Sequence, residues 1–137
     1  MKRIILLAFL CTTTLVMAQR INHVQEAIAN YDYEAALTLI AKEKPTIPLL
    51  LQKGKAQRGL GMNTEALSTY QEIIANDTAN TRAYIEAAEC CRSLAKYQQA
   101  LKYYEQALDL NPENKYVRIQ YIGLLLSLQK FQDALGE

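Results

Sequence analysis

Small and apolar residues recur along the chain with a fixed period. Ala66, Ala100 and Ala134 follow one another at intervals of 34 residues, and a leucine comes directly after each of them. Between these landmarks the apolar residues keep the three- and four-residue spacing of amphipathic helices, and no stretch alternates long enough to predict a strand. A period of this length predicts an all-α chain built from stacked helix–turn–helix units, because one such unit cannot bury its apolar face alone.

Clusters of Asn, Asp and Gly interrupt the pattern and predict its turns. Residues 30–32 and 59–63 are expected to form the turns within units. Residues 76–80 and 111–114 are expected to connect one unit to the next, with polar side chains placed to cap the helices that follow. We therefore expect seven helices and the start of an eighth.

Residues 81–114 show the period most completely. Tyr84 stands at position 4 of this segment and Tyr104 at position 24. The segment also has alanine at positions 8, 20 and 27 and proline at position 32, namely Ala88, Ala100, Ala107 and Pro112. In these positions the chain resembles the tetratricopeptide repeat (TPR). The resemblance implies a right-handed superhelical solenoid of antiparallel helix pairs, with about three and a half repeats, in which alanines mark the closest helix approach.

The period divides the chain into five segments. The first, residues 1–18, is expected to be a cleaved signal peptide. The last begins a repeat but stops inside it, because Phe131 restates Tyr97 at the opening of a second helix. We therefore expect the sequence to be a fragment. The other segments are a degenerate N-terminal helical repeat over 19–46, TPR repeats over 47–80 and 81–114, and the truncated repeat itself over 115–137.

The N-terminus has the pattern of a secretory signal. Lys2 and Arg3 precede an apolar run of about 13 residues, which is shorter than the roughly 20 needed to span a bilayer. Val16 and Ala18 place small side chains before the predicted cleavage site. We expect cleavage after Ala18, a periplasmic or secreted protein without a membrane span, and a Gram-negative source of the Bacteroidetes type.

Composition and motifs exclude several classes of function. The 15 basic and 14 acidic residues nearly balance, which argues against general nucleic-acid binding. His23 is the only histidine, and no phosphate-binding, metalloprotease or hydrolase motif occurs in the sequence. We expect no catalytic residue, no metal site and no cofactor, so the protein is predicted not to be an enzyme.

The cysteines and tyrosines are expected to pack rather than to react. Cys90 and Cys91 are adjacent within a predicted helix, where a disulfide between them would distort the peptide. Both are interpreted as buried thiols, Cys91 more so than Cys90, and their redox state stays open. Four tyrosines are assigned to packing positions, namely Tyr70, Tyr84, Tyr97 and Tyr104. Tyr103 and Tyr116 are left for a surface role.

The TPR resemblance also implies a concave groove lined by the first helix of each repeat. Four cations and one acid interleave with apolar residues there, which favours a peptide of acidic and apolar character. The alternative is that these are ordinary solvated side chains whose stems cover the helices. A carboxylate clamp is disfavoured, because Leu51 and Lys55 stand where it needs Lys and Asn. The groove residues are Leu51, Lys55, Arg58, Arg82, Ile85, Glu89, Arg92, Tyr116 and Ile119.

Two functions follow from this reading. The first is a non-catalytic scaffold of the cell envelope that binds a peptide or a partner protein in its groove. The alternative is a helper segment of a longer enzyme or regulator whose active domain lies beyond residue 137. Self-association is compatible with either function, and the sequence does not identify the partner.

Overall fold

The computed structural model describes the backbone of residues 19–135 and the side chains of residues 19–131. The predicted signal peptide lies outside the described residues, as does the side chain of Ala134. Within the described part of the chain all regular structure is helical. None of these helices combines the length and the apolar character required to cross a membrane. The described residues divide into two compact units, the first ending at Leu60 and the second beginning at Gly61.

The described part of the first unit, from residue 19 onward, contains three helices. They are α1 over residues 19–29, α2 (Tyr33–Ile40) and α3 (Ile47–Gly59). Side chains at polar turn positions set the helix starts, since Asp32 Oδ1 accepts from the Ala35 amide at 3.1 Å and Thr46 Oγ1 accepts from Leu49 at 3.5 Å. One face of each helix contributes to a shared apolar core, which comprises Val24, Ile28, Ala36, Ile40, Leu49 and Ala56.

A close contact joins α2 and α3 in this unit. The ring of Tyr33 lies directly over Gly59, in the space that a Cβ atom at that position would occupy. Tyr33 also meets Tyr31 edge to face, with ring centroids 6.2 Å apart. Glycine at position 59 is therefore required by the packing of an aromatic ring.

We expect Gly59→Ala to lower the free energy of unfolding by about 1–3 kcal/mol, because the new methyl group displaces the Tyr33 ring. The higher helix propensity of alanine offsets at most about 1 kcal/mol of this loss. In a Tyr33→Ala background the same change should be neutral or stabilising. Urea denaturation of the two single variants and the double variant tests this, and additive losses would contradict the contact.

The second unit contains four helices. They are α4 (Asn63–Asn76), α5 (Thr81–Ser93), α6 (Tyr97–Leu110) and α7 (Lys115–Leu135). Each helix packs against the next one along the chain. The caps predicted for the connecting turns are present, since Asn80 Oδ1 accepts from Ala83 N and Asn114 Oδ1 accepts from Val117 N, both at 3.1 Å. The helices of both units are separated at each of the four predicted turn regions, which confirms those regions.

The core of the second unit follows the 34-residue period. Ala66 and Ala100 are fully buried at equivalent places on α4 and α6. Tyr70 and Tyr104, one period apart, are at most 1% exposed. The helix α5 packs against both α4 and α6 and therefore buries two faces. Its buried residues are Ala83, Tyr84, Ala87, Ala88, Cys90 and Cys91.

The predicted start of an eighth helix is wrong within the described residues. The helix α7 continues without a break from Lys115 to Leu135, through the position where a turn was expected. Gly61 and Ala95, at equivalent turn positions, adopt positive φ angles of 74° and 56°. Gln129 stands one period after Ala95 and stays helical. A left-handed conformation costs a non-glycine residue about 1–2 kcal/mol. At Ala95 the packing of α6 on α5 offsets that cost.

Candidate binding groove

The predicted groove residues are divided between the two units. Leu51, Lys55 and Arg58 lie on α3 of the first unit, where Lys55 is exposed and the other two are half-buried. The rest belong to the second unit. Arg82, Ile85, Glu89 and Arg92 form one stripe along α5, and Tyr116 and Ile119 lie on α7.

Glu89 is the centre of a hydrogen-bonded group. Tyr104 and Tyr116 donate their hydroxyl protons to Glu89 Oε1, at 2.6 and 3.0 Å. Arg92 Nη1 approaches Glu89 Oε2 at 3.3 Å, Tyr104 Oη at 3.4 Å and Gln120 Oε1 at 2.7 Å. We call these five residues the Glu89 cluster. It connects α5, α6 and α7 through side chains.

The electrostatics of the Glu89 cluster keep its donors protonated. Burial raises the pKa of Tyr104, and the hydrogen bond to Glu89 raises it further. The same two causes, in the same order, raise the pKa of Tyr116. The hydrogen bond to Tyr104 raises the pKa of Arg92. Arg92 is therefore a positioned cation that is already paired with a carboxylate.

An open groove of about 680 Å³ lies beside the Glu89 cluster in the second unit. Three helices contribute to it. The C-terminal half of α5 contributes the charged residues. Tyr97 at the start of α6 and residues in the second half of α7 also line the groove. The lining residues are Glu89, Arg92, Ser93, Tyr97, Leu124, Ser127, Leu128 and Phe131. We call this surface the unit-2 groove.

The sequence prediction overlaps the unit-2 groove in part. Glu89 and Arg92 line it, and Tyr116 is bonded to Glu89 nearby. Arg82 and Ile119 do not line it, although both are exposed. Binding by any of the predicted groove residues stays a prediction.

The apolar half of the unit-2 groove was missed from the sequence. Tyr97 was assigned to a packing position, and this is wrong, because the residue is 41% exposed at the first position of α6. Phe131 is 63% exposed and stands one period after Tyr97. That shared repeat position is the signal that could have identified both aromatics as one surface.

The two cysteines are buried to the same extent, which was not expected. Both Cys90 and Cys91 are fully buried, so the prediction that Cys90 would be less buried is wrong. The reason is that α5 is covered by α4 on one side and by α6 on the other. Burial raises the pKa of the Cys91 thiol, which disfavours the reactive thiolate.

Residues suited to metal binding do not converge in the described part of the chain. No group of three or more His, Cys, Asp or Glu side chains there could hold an ion. His23 is exposed on α1. The arrangement in the unit-2 groove instead combines one internal ion pair with open apolar walls.

Comparison with known proteins identifies the fold. Residues 92–136 match the sequence model of the tetratricopeptide repeat. The first TPR of Spaghetti (RPAP3), bound to the HSP90 peptide SRMEEVD, superposes with a TM-score of 0.77 at 21% identity, over 82% of this chain and 92% of that one. The chain has a TPR fold. The matched model and the structural neighbours support the TPR family.

Other TPR structures superpose as well. The Yersinia enterocolitica type III secretion chaperone SycD, in complex with a peptide of the translocator YopD, has a TM-score of 0.75 at 18% identity, over 85% of this chain and 95% of that one. The Sgt2 TPR domain from Aspergillus fumigatus has a TM-score of 0.77 at 13% identity, over 85% and 81%. The all-α, TPR-like fold predicted from the 34-residue period is thereby confirmed. The comparison with curated proteins finds no matching relative.

Proposed function

We propose that this TPR protein is a non-catalytic interaction module whose unit-2 groove holds a segment of a partner protein. The observation that carries the proposal is the groove itself, an open concavity of about 680 Å³ formed by three helices. Ligand-binding clefts of about 300–1,000 Å³ are typical of proteins, and they combine apolar walls with a few positioned polar groups. The unit-2 groove has both.

Two structural neighbours support a peptide as the occupant. Spaghetti was solved with an HSP90 peptide and SycD with a peptide of YopD. Their similarity to this chain is one of fold. A groove built by helices of the same fold can hold a peptide in this protein too, because three packed helices hold its lining residues in place.

We also propose that the protein works in the cell envelope. The support is the sequence of residues 1–18, with Lys2 and Arg3 ahead of an apolar run and small side chains at Val16 and Ala18. N-terminal sequencing of protein recovered from the envelope is expected to begin at Gln19. Mature protein that retains Met1 would contradict export.

A photocrosslinking amino acid at position 97 tests the groove as the binding surface. We expect it to crosslink in cells to a partner protein, because Tyr97 is exposed in the wall of the groove. The control is the same amino acid at Lys102, which is exposed on α6 but does not line the groove. Equal crosslinking from the two positions, or none from position 97, would contradict the proposal.

A further inference from the structure

The charges in the unit-2 groove compensate each other. Of the eight described residues that line it, within residues 19–131, only Glu89 and Arg92 are charged. These two form an ion pair with 3.3 Å between Arg92 Nη1 and Glu89 Oε2. The side chain of Glu89 is 16% exposed and that of Arg92 is 39% exposed. The described lining therefore offers a partner no net charge.

The polar groups of the groove are also bonded within the protein. Ser93 donates to the carbonyl oxygen of Glu89 at 3.1 Å, and Ser127 donates to that of Gly123 at 2.8 Å. Arg92 has Gln120 as a further acceptor at 2.7 Å. An acidic ligand would have to compete with Glu89 for the same guanidinium, and this competition removes most of the gain from a new ion pair.

The side chains that leave surface exposed to a partner in the groove include large apolar ones. Tyr97 and Phe131 are 41% and 63% exposed, and the two further apolar lining residues, Leu124 and Leu128, are half-buried. Covering these side chains removes apolar surface from water, which is the main favourable contribution to most protein association. A volume of about 680 Å³ leaves room for several side chains rather than one.

From the neutral charge balance and the open apolar walls, we infer that the occupant is an uncharged, apolar segment of a partner protein. Leucine, isoleucine, methionine or phenylalanine side chains would contact Tyr97, Leu124, Leu128 and Phe131. This inference rests on the proposed function and specifies its ligand. It keeps the apolar character of the peptide expected from the sequence and drops the acidic character, because Arg92 is paired internally with Glu89.

Selection from a random peptide library displayed against the purified protein tests the ligand class. We expect the selected peptides to be enriched in Leu, Ile, Met and Phe and to carry few acidic residues. The affinity of a selected, fluorescently labelled peptide should change less than about twofold when salt rises from about 50 to about 500 mM, since salt screens ionic contacts and strengthens apolar ones.

Two serine substitutions on α7 locate the bound peptide. Phe131→Ser should weaken binding roughly tenfold or more, because it removes one large apolar wall from the groove. Leu126→Ser is the matched control, since Leu126 is 57% exposed on the same helix but does not line the groove. It should leave the affinity within about twofold. Both residues are exposed, so neither substitution is expected to unfold the protein.

The possible failures are distinguishable. Selected peptides rich in Asp and Glu, with affinity that falls steeply with salt and is reduced by Phe131→Ser, would overturn the apolar ligand and leave the groove as the binding surface. A selection without enrichment, or equal effects of Phe131→Ser and Leu126→Ser, would overturn the proposed function of the groove together with the inference.

Discussion

Replacing Tyr104 by alanine is expected to lower the free energy of unfolding by about 3–5 kcal/mol, the usual cost of emptying the site of a buried aromatic ring. Tyr104 is fully buried on α6, and its hydroxyl group belongs to the Glu89 cluster. The substitution therefore creates a cavity and removes one donor to the Glu89 carboxylate. A loss of this size is a large part of the total stability of a domain of this length, which is typically about 5–15 kcal/mol. Urea denaturation measures it.

Tyr104→Phe separates the ring from the hydroxyl group. This control keeps the packing and should cost about 1.5–3 kcal/mol, the range for hydrogen bonds to a charged group. The cost should also depend on pH. Because the folded protein raises the pKa of Tyr104 above the ordinary value of 10.0, the hydroxyl contribution is fully present below about pH 10 and is lost as pH rises through the folded pKa.

Denaturation at about pH 7 and about pH 11 tests that dependence. The difference in stability between the parent and Tyr104→Phe should be smaller at the alkaline pH, since the unfolded parent then releases the Tyr104 proton that the folded parent retains. A constant difference would show that folding, through burial and the hydrogen bond to Glu89, does not raise the pKa of Tyr104. A loss below about 1 kcal/mol for Tyr104→Ala would contradict the burial of the ring.

Ala100→Leu is expected to destabilise the second unit by about 1–3 kcal/mol through overpacking. Ala100 on α6 and Ala88 on α5 are both fully buried, and the two helices pack against each other. Three additional carbon atoms at this fully buried position must displace neighbouring side chains or separate the helices. Thermal or urea unfolding, followed by circular dichroism, measures the loss.

Ala75→Leu is the matched control for this substitution. Ala75 lies on α4 of the same unit but is exposed, so the added side chain projects into solvent. Its unfolding curve should stay within about 0.5 kcal/mol of the parent, as is usual for surface substitutions. Unfolding of Ala100→Leu that overlays the parent would mean that the helix approach at this alanine is looser than the repeat pattern implies.

The fold could be predicted because its determinants are local and repeated. Alanines at fixed intervals mark close helix contacts, and the Asn- and Gly-containing segments mark the turns, so the helix positions follow from spacing alone. The prediction failed near Gln129, where a turn and a continued helix are both compatible with the sequence. Packing of a following helix decides between them, and that interaction is tertiary.

For the candidate site, the sequence predicted which residues share a helix face but not which side chains they contact. Glu89 and Arg92 were placed on one face of α5 from the repeat position, and the structure agrees. Their pairing with each other was not considered, since acid and base three residues apart on a helix can equally point to solvent. The two tyrosine hydroxyls that fix Glu89 come from α6 and α7, and sequence spacing carries no information about such contacts.

The sequence by itself determined the helical class, the 34-residue register, the buried alanines and three of the four tyrosines assigned to packing. Helix periodicity and side-chain size act within and between adjacent turns of the chain, and this is why these features could be predicted. Only the tertiary structure decided that Arg92 is paired with Glu89, that Tyr97 lines the groove and that Cys90 is buried as fully as Cys91. The ion pair, the exposed aromatic ring and the buried thiols depend on which helices pack against α5. The free-energy cost of burying a polar or apolar group depends on the groups that surround it after the helices have packed.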